Sequence, residues 1–118
     1  HGHIDEVGYD TYCKILDEVI KDNLEIDNDF VKETVTGVLD NKENIVNIAN
    51  KYLKDWTFDR LGLTDRAILS MGIYELLYTN TPEVVAINEA VELSKKYSDD
   101  KVKNMINGVL DKVYHEEK

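Results

Sequence analysis

The stretch DRAILSMGIYELLY, residues 65–78, decides the fold of this chain. Its apolar and aromatic residues cover most of the circumference of a helix instead of one stripe: Ile68, Leu69, Met71, Ile73, Tyr74, Leu76, Leu77 and Tyr78. A helix that is apolar on most sides belongs in the interior of a protein, so we predict a central, buried helix. Gly72 costs about 1 kcal/mol of helix propensity relative to alanine, and its position predicts that a neighbouring helix approaches closely.

Three amphipathic segments precede the central stretch. Apolar residues recur at helical spacing over residues 9–20, over residues 30–39 and over residues 45–56. Asp27 is the expected cap of the second segment, and the third begins near Asn41. Because only residues 40–42 separate the second and third segments, we expect them to continue as one bent helix.

Helix-start signals open the central helix and the two helices that follow it. Thr64 and Asp65 open the central helix itself, with the carboxylate in the first turn. Thr81 is expected to cap the next helix, with a proline at its first helical position, and residues 98–100 open the last helix with a capping and acidic sequence. The pattern as a whole predicts an all-α, compact bundle of about six helices with short loops, forming a single domain over residues 1–118.

Composition limits the class of protein. A chain of 118 residues, 42% hydrophobic and with a formal net charge of −10, is long enough for one folded domain. No segment is apolar enough to span a bilayer, and no signal peptide pattern opens the chain, so we expect a cytoplasmic protein that does not associate with membranes. The acidic balance opposes binding of nucleic acid unless a local basic patch or a basic protein partner is present.

The sequence contains no arrangement of residues typical of an enzyme. The three histidines, His1, His3 and His115, all lie close to a terminus, and no Cys pair or glycine-rich phosphate loop is present. Ser70 has no candidate base within sequence reach. We therefore expect a non-enzymatic protein without a metal ion or cofactor.

Three ordered motifs carry a resemblance to a known family. DRAILSMGIYELLY (65–78), VAINEAVELSKKY (85–97) and NGVLDKV (107–113) resemble the NusB family of bacterial transcription antitermination factors, over about residues 27–114. The resemblance implies an all-helical bundle that binds boxA-type RNA together with NusE, a small-subunit ribosomal protein. Through that complex it implies an indirect association with the RNA polymerase elongation complex on ribosomal RNA operons. It also implies that the family's basic N-terminal arm and first helix have no counterpart in this chain.

The family pattern suggests several partner-binding residues. Asp65 matches an acidic position of the family's partner-facing surface, and Glu75 is a second candidate on the same helix. Asn88 and Glu89 are open to two interpretations, a contact surface or amide and carboxylate groups that satisfy neighbouring helices. Asn107 and Gly108 are interpreted as lying at a helix crossing, and are not assigned to a contact surface.

Candidate RNA-binding residues are the lysines near the join of the last two helices. They are Lys95, Lys96, Lys101 and Lys103, and the competing interpretation is that each is an ordinary solvated side chain. Tyr52 and Tyr74 have the chemistry to stack on bases, although their helical register favours core packing. Ser70 and Val84 stand where many family members have basic residues, so the resemblance implies weaker RNA binding than is usual in the family.

Two other identities remain open. A NusB-like domain also precedes the catalytic domain of certain ribosomal RNA cytosine methyltransferases, and an acidic helical interaction module without a nucleic-acid role is a third interpretation. Without the family's first helix, the apolar stripes of residues 9–20 or 30–39 are expected to be exposed and to promote self-association. A strictly monomeric sedimentation profile at tens of micromolar protein would contradict that expectation.

Overall fold

The computed structural model describes residue 33 and residues 36–118, and over this part of the chain the secondary structure is entirely helical, without a strand. After a short helical segment at residues 36–40, the elements are helix α1 (Lys42–Tyr52), a 3-10 helix (Phe58–Arg60), α2 (Leu63–Tyr78), α3 (Glu83–Tyr97) and α4 (Asp100–Glu117). The all-α prediction is confirmed. The predicted helix at residues 9–20 and the cap at Asp27 lie outside the described residues.

Residues 36–40 continue into α1 with a bend at Asn41. The backbone N–H of Asn41 donates to the carbonyl of Gly37 at 3.1 Å, and the N–H of Ile45 donates to the carbonyl of Asn41 at 2.9 Å. The side-chain amide of Asn41 donates to the same Gly37 carbonyl at 2.8 Å. Because helical hydrogen bonding runs through the junction, the predicted continuity of the two segments is confirmed there. The third segment is shorter than predicted, since α1 ends at Tyr52 and not at residue 56.

Helix α2 is the central element of the described fold. It packs against α1, α3 and α4, and its residues from Ala67 to Ile73 are all buried. The core around it contains apolar side chains from every other helix, including Ile45 of α1, Ala86 of α3 and Leu110 of α4. Burial on most sides explains why the sequence of α2 lacks a polar face.

Gly72 lies at the contact between α2 and α4. A Cβ atom added at this position would be 2.7 Å and 2.9 Å from the two methyl carbons of Leu110, and Leu110 is fully buried. The prediction of a close helix approach at Gly72 is confirmed, because only a residue without a side chain leaves room for Leu110.

Gly72→Ala is therefore expected to destabilise the protein by about 1–2 kcal/mol, since overpacking in a closed core exceeds the gain in helix propensity. Gly108→Ala is the matched control, because a Cβ there would meet nothing within 4 Å. That substitution is expected to stabilise by up to about 1 kcal/mol. Urea unfolding of both variants measures the difference, and equal effects of the two substitutions would contradict the packing role of Gly72.

The helix starts agree with the sequence to within a residue. Asp65 lies in the first turn of α2, and Asp99 caps α4 by accepting the backbone N–H of Val102 at 2.9 Å. Pro82 immediately precedes α3 instead of occupying its first helical position. Thr81 does not cap α3 as expected: its hydroxyl accepts a hydrogen bond from the Thr79 hydroxyl at 2.9 Å, which ties it to the end of α2.

Candidate nucleic-acid interface

An open groove lies between the carboxyl end of α1, the loop that follows it, and one face of α4. It has a volume of about 350 Å³ and is lined by Tyr52, Lys54, Asp55, Trp56, Lys101, Asn104, Met105, Gly108, Val109 and Lys112. Three lysines and one aspartate give this lining a net charge of +2, in a chain whose formal net charge is −10. The groove is thus a local basic patch on an acidic protein, and it contains two aromatic rings.

Trp56 is held in the groove from both sides. The buried ring of Phe58 anchors the loop in the core, and the backbone N–H of Phe58 donates to the side-chain oxygen of Asn50 at 2.8 Å. From α4, the ammonium of Lys101 lies 5.6 Å from the centre of the Trp56 ring, within the range of a cation–π interaction. The indole is half-buried, so part of it remains available to a ligand.

Tyr52 forms the other aromatic part of the groove. Its ring packs partly against the core, and its hydroxyl donates to Glu117 Oε2 at 2.5 Å. Lys51 donates to the same oxygen at 2.6 Å. Core packing was expected for Tyr52, and the structure shows both core contact and a position at the groove.

The α4 wall of the groove is a regular helical stripe. Lys101, Asn104, Met105, Gly108 and Lys112 follow the spacing i, i+3, i+4, i+7 and i+11, which places them on one face. The expectation that Asn107 and Gly108 lie at a helix crossing is wrong. Both are exposed, and the space beside Gly108 is open because Gly108 lines the groove.

The four lysines predicted to bind RNA do not form one cluster. Lys101 lines the groove, whereas Lys95 is exposed at the end of α3 and pairs with Glu92 at 3.0 Å. Lys103 lies beside Asp100 at 3.8 Å, and Lys96 is exposed near the end of α3. The structure instead joins Lys101 to Lys54 and Lys112, two lysines that sequence reasoning missed. The α4 stripe and the Lys54-Asp55-Trp56 sequence were the available signals.

The predicted partner-binding residues fall into an accessible and a buried group. Asp65 is half-buried and accepts a hydrogen bond from the Ser98 hydroxyl, and Asn88 is exposed. Glu75 is only 5% exposed, so a direct contact between Glu75 and a partner is contradicted by its burial. Glu89 is half-buried and faces Glu75 across the α2–α3 contact.

Glu75 and Glu89 form a hydrogen-bonded carboxyl pair inside the fold. Burial, and then the adjacent Glu89, raise the pKa of Glu75 to about 8. Burial also raises the pKa of Glu89, while the hydrogen bond from Glu75 opposes that rise. Glu75 is the more deeply buried of the two carboxyl groups, so we assign the shared proton to Glu75, which donates it to the Glu89 carboxylate.

Ser70 and Val84 differ sharply in their surroundings. Ser70 is 3% exposed, so its hydroxyl is not placed to contact RNA. Val84 is 62% exposed at the start of α3, consistent with a surface position.

A sequence model of the NusB family matches residues 6–115 of this chain. The chain belongs to the NusB family. The transcription antitermination protein NusB of Lactococcus lactis is 54% identical to it over 83 residues, 70% of this chain and 43% of that protein. The corresponding protein of Staphylococcus haemolyticus is 48% identical over 103 residues, 87% of this chain and 80% of that protein.

Solved structures share the NusB fold. T. maritima NusB has a TM-score of 0.71 at 24% identity, with 97% of this chain and 89% of that chain covered. A chain in the crystal structure of a plectonemic RNA supercoil also has a TM-score of 0.71, at 29% identity, with 92% of this chain and 91% of that chain covered. The fold predicted from the resemblance is confirmed.

Within residue 33 and residues 36–118, no group of three or more His, Cys, Asp or Glu side chains is placed to hold a metal ion. Over the same part of the chain, none of the helices has the length and apolar character needed to cross a membrane.

Proposed function

We propose that this NusB-family chain is a transcription antitermination factor that binds boxA-type RNA through the groove between α1 and α4, jointly with a NusE-like ribosomal protein. The observation that carries the RNA site is the combination of three lysines with Trp56 and Tyr52 in one groove. Lysines attract the phosphate backbone, and aromatic rings provide faces on which unpaired bases stack. The role is one of binding and assembly, without a catalytic step.

Local charge favours this groove as the RNA-binding site, in preference to Lys95 and Lys103. On a chain of net charge −10, an RNA strand is repelled by most of the surface and attracted where positive charge is concentrated. At Lys95 and Lys103 a carboxylate lies within 4 Å of the ammonium, which offsets the attraction. Among the residues that line the groove, three are lysines, Lys54, Lys101 and Lys112, and one is a carboxylate, Asp55.

The acidic surface supports a basic protein partner. Asp65 is held in place by Ser98 at the α3–α4 junction, and Asn88 is exposed on α3. We retain both as partner-binding residues, together with the half-buried Glu89 of α3. Complementary charge increases the association rate and the specificity of such a contact, so binding of the NusE-like protein is expected to weaken as salt rises.

The antitermination role is favoured over the methyltransferase alternative. The relatives reported above are named transcription antitermination proteins, and the chain covers 80% of the length of the one from Staphylococcus haemolyticus. An acidic module without a nucleic-acid role would not require the groove's concentration of lysine and aromatic side chains.

The deciding experiment is fluorescence anisotropy of labelled boxA-type RNA with this chain, a purified NusE-like protein, and both together, at two salt concentrations. Binding that is tighter with both proteins than with either alone is expected. If neither the RNA nor the NusE-like protein bound this chain, the proposed function would be wrong and only the family fold would remain.

Lys112→Gln is expected to weaken RNA binding about threefold to tenfold near physiological salt and to reduce the salt slope by about one, because one phosphate contact is lost. Lys95→Gln is the matched control, with the same charge change outside the groove. Anisotropy titrations at several salt concentrations measure both variants. Equal losses for Lys112→Gln and Lys95→Gln would show that general charge, and not the groove, governs RNA binding.

A further inference from the structure

Glu117 is an unexpected residue to find beside a groove that binds RNA. It lies at the end of α4, and a carboxylate near a phosphate chain opposes binding. Yet Glu117 Oε2 accepts both the Tyr52 hydroxyl at 2.5 Å and the Lys51 ammonium at 2.6 Å. Attraction of RNA phosphates therefore does not explain why Glu117 lies here.

We infer that Glu117 is a positioning residue for RNA binding, which fixes the Tyr52 ring in the groove through its hydroxyl. This inference rests on the proposed function. Tyr52 is the last residue of α1, and its hydroxyl end is bound by a residue at the far end of α4. The bond therefore joins the two elements that form the walls of the groove.

The geometry restricts the ring at both ends. The backbone side of Tyr52 is fixed by α1 and by packing against the core, and the phenol is fixed by Glu117. A stacking platform that is already oriented loses less side-chain entropy when a base binds. The next residue, Lys118, fastens the same end of α4 by donating to the carbonyl of Leu76 at 2.9 Å, so Glu117 itself is held in place.

The surroundings of the Tyr52 phenol are consistent with this role. The hydrogen bond to Glu117 is the largest contribution that raises the pKa of Tyr52, followed by burial. The hydrogen bond from Lys51, and then the one from Tyr52, lower the pKa of Glu117. The carboxylate is thus ionised at neutral pH, the state in which it accepts the phenol proton most strongly.

Positioning and charge predict opposite results for Glu117→Ala. If the carboxylate acts only as a negative charge, its removal frees Lys51 and strengthens RNA binding. If it orients Tyr52, removal weakens binding, by about fivefold for the loss of one strong hydrogen bond. The sign of the change therefore separates the two roles.

The experiment measures, by anisotropy, the affinity of the full chain for labelled boxA-type RNA with four single variants and one double variant. Glu117→Ala and Tyr52→Phe are each expected to weaken binding about fivefold, and the double variant is expected to be no weaker than either, since both remove the same bond. Glu117→Gln keeps an acceptor for the phenol and is expected to restore wild-type affinity. Glu116→Ala removes the same charge from a neighbouring exposed position and is expected not to weaken binding.

An independent readout follows the phenol without RNA. The 13C resonance of the Tyr52 ring, assigned by its loss in Tyr52→Phe, is expected to titrate at lower pH in Glu117→Ala than in the wild type. If the wild type binds RNA and Glu117→Ala binds it equally well or more tightly, the positioning role is wrong and the proposed function is unaffected. Absence of RNA binding by the wild type would overturn the proposed function, and the positioning role with it.

Discussion

Glu75→Gln is expected to stabilise this protein by about 2 kcal/mol at pH 7, an unusual direction for a substitution in the core. Glu75 is 5% exposed, and burial followed by the adjacent Glu89 raises its pKa to about 8 from an ordinary value of 4.5. The folded protein therefore takes up a proton that the unfolded chain does not hold at neutral pH. A glutamine amide donates the same hydrogen bond to Glu89 without this protonation cost.

The sign of the pH dependence follows from the raised pKa. Stabilisation by protonated Glu75 is fully present below the unfolded pKa of about 4.5 and is lost as pH rises through about 8. The advantage of Glu75→Gln is therefore expected to be within about 1 kcal/mol at pH 5 and to grow steadily towards pH 8.

Urea unfolding of Glu75→Gln and wild type at pH 5, 6, 7 and 8 measures this difference. Glu116→Gln, at an exposed position of α4, is the control for the general effect of removing one acidic charge. Stability curves for Glu75→Gln and wild type that stay parallel from pH 5 to pH 8 would show that Glu75 does not carry the buried proton.

Trp56→Ala is expected to weaken binding of boxA-type RNA about tenfold to one-hundredfold, because base stacking on an aromatic ring contributes about 1–3 kcal/mol. The salt slope is expected to stay unchanged, since no charge is altered. Trp56→Phe retains an aromatic face and is expected to recover most of the affinity. Anisotropy titrations of the same RNA measure all of these quantities.

Two controls separate binding from folding in this experiment. Tyr97→Ala removes an exposed aromatic ring at the end of α3, outside the groove, and is expected to leave RNA affinity unchanged. Thermal unfolding of Trp56→Ala reports any loss of core packing, because the indole is partly packed against the core. Wild-type RNA affinity in a folded Trp56→Ala variant would exclude stacking on this ring.

The candidate site was less predictable from the sequence than the fold. Lys101 was identified as an RNA-binding candidate, but Lys54, Trp56 and Lys112 were not, because residues separated by 45 positions or more meet only after α4 packs beside α1. Gly108 was assigned to a helix crossing for the same reason. The sequence shows which residues share a helical face, but it does not show whether that face meets a neighbour or solvent.

The sequence by itself determined the all-α fold, the central position of α2 and the NusB family. Helical periodicity and ordered motifs are local properties of a sequence and do not depend on how the helices pack. Gly72 is an example, because a residue of low helix propensity inside an apolar helix indicates that another helix packs closely against it. Tertiary structure alone decided that Glu75 is buried against Glu89 and that Glu117 binds Tyr52. Burial and long-range hydrogen bonds depend on how helices pack, so the same glutamate is a surface charge or a buried acid according to the neighbour it meets.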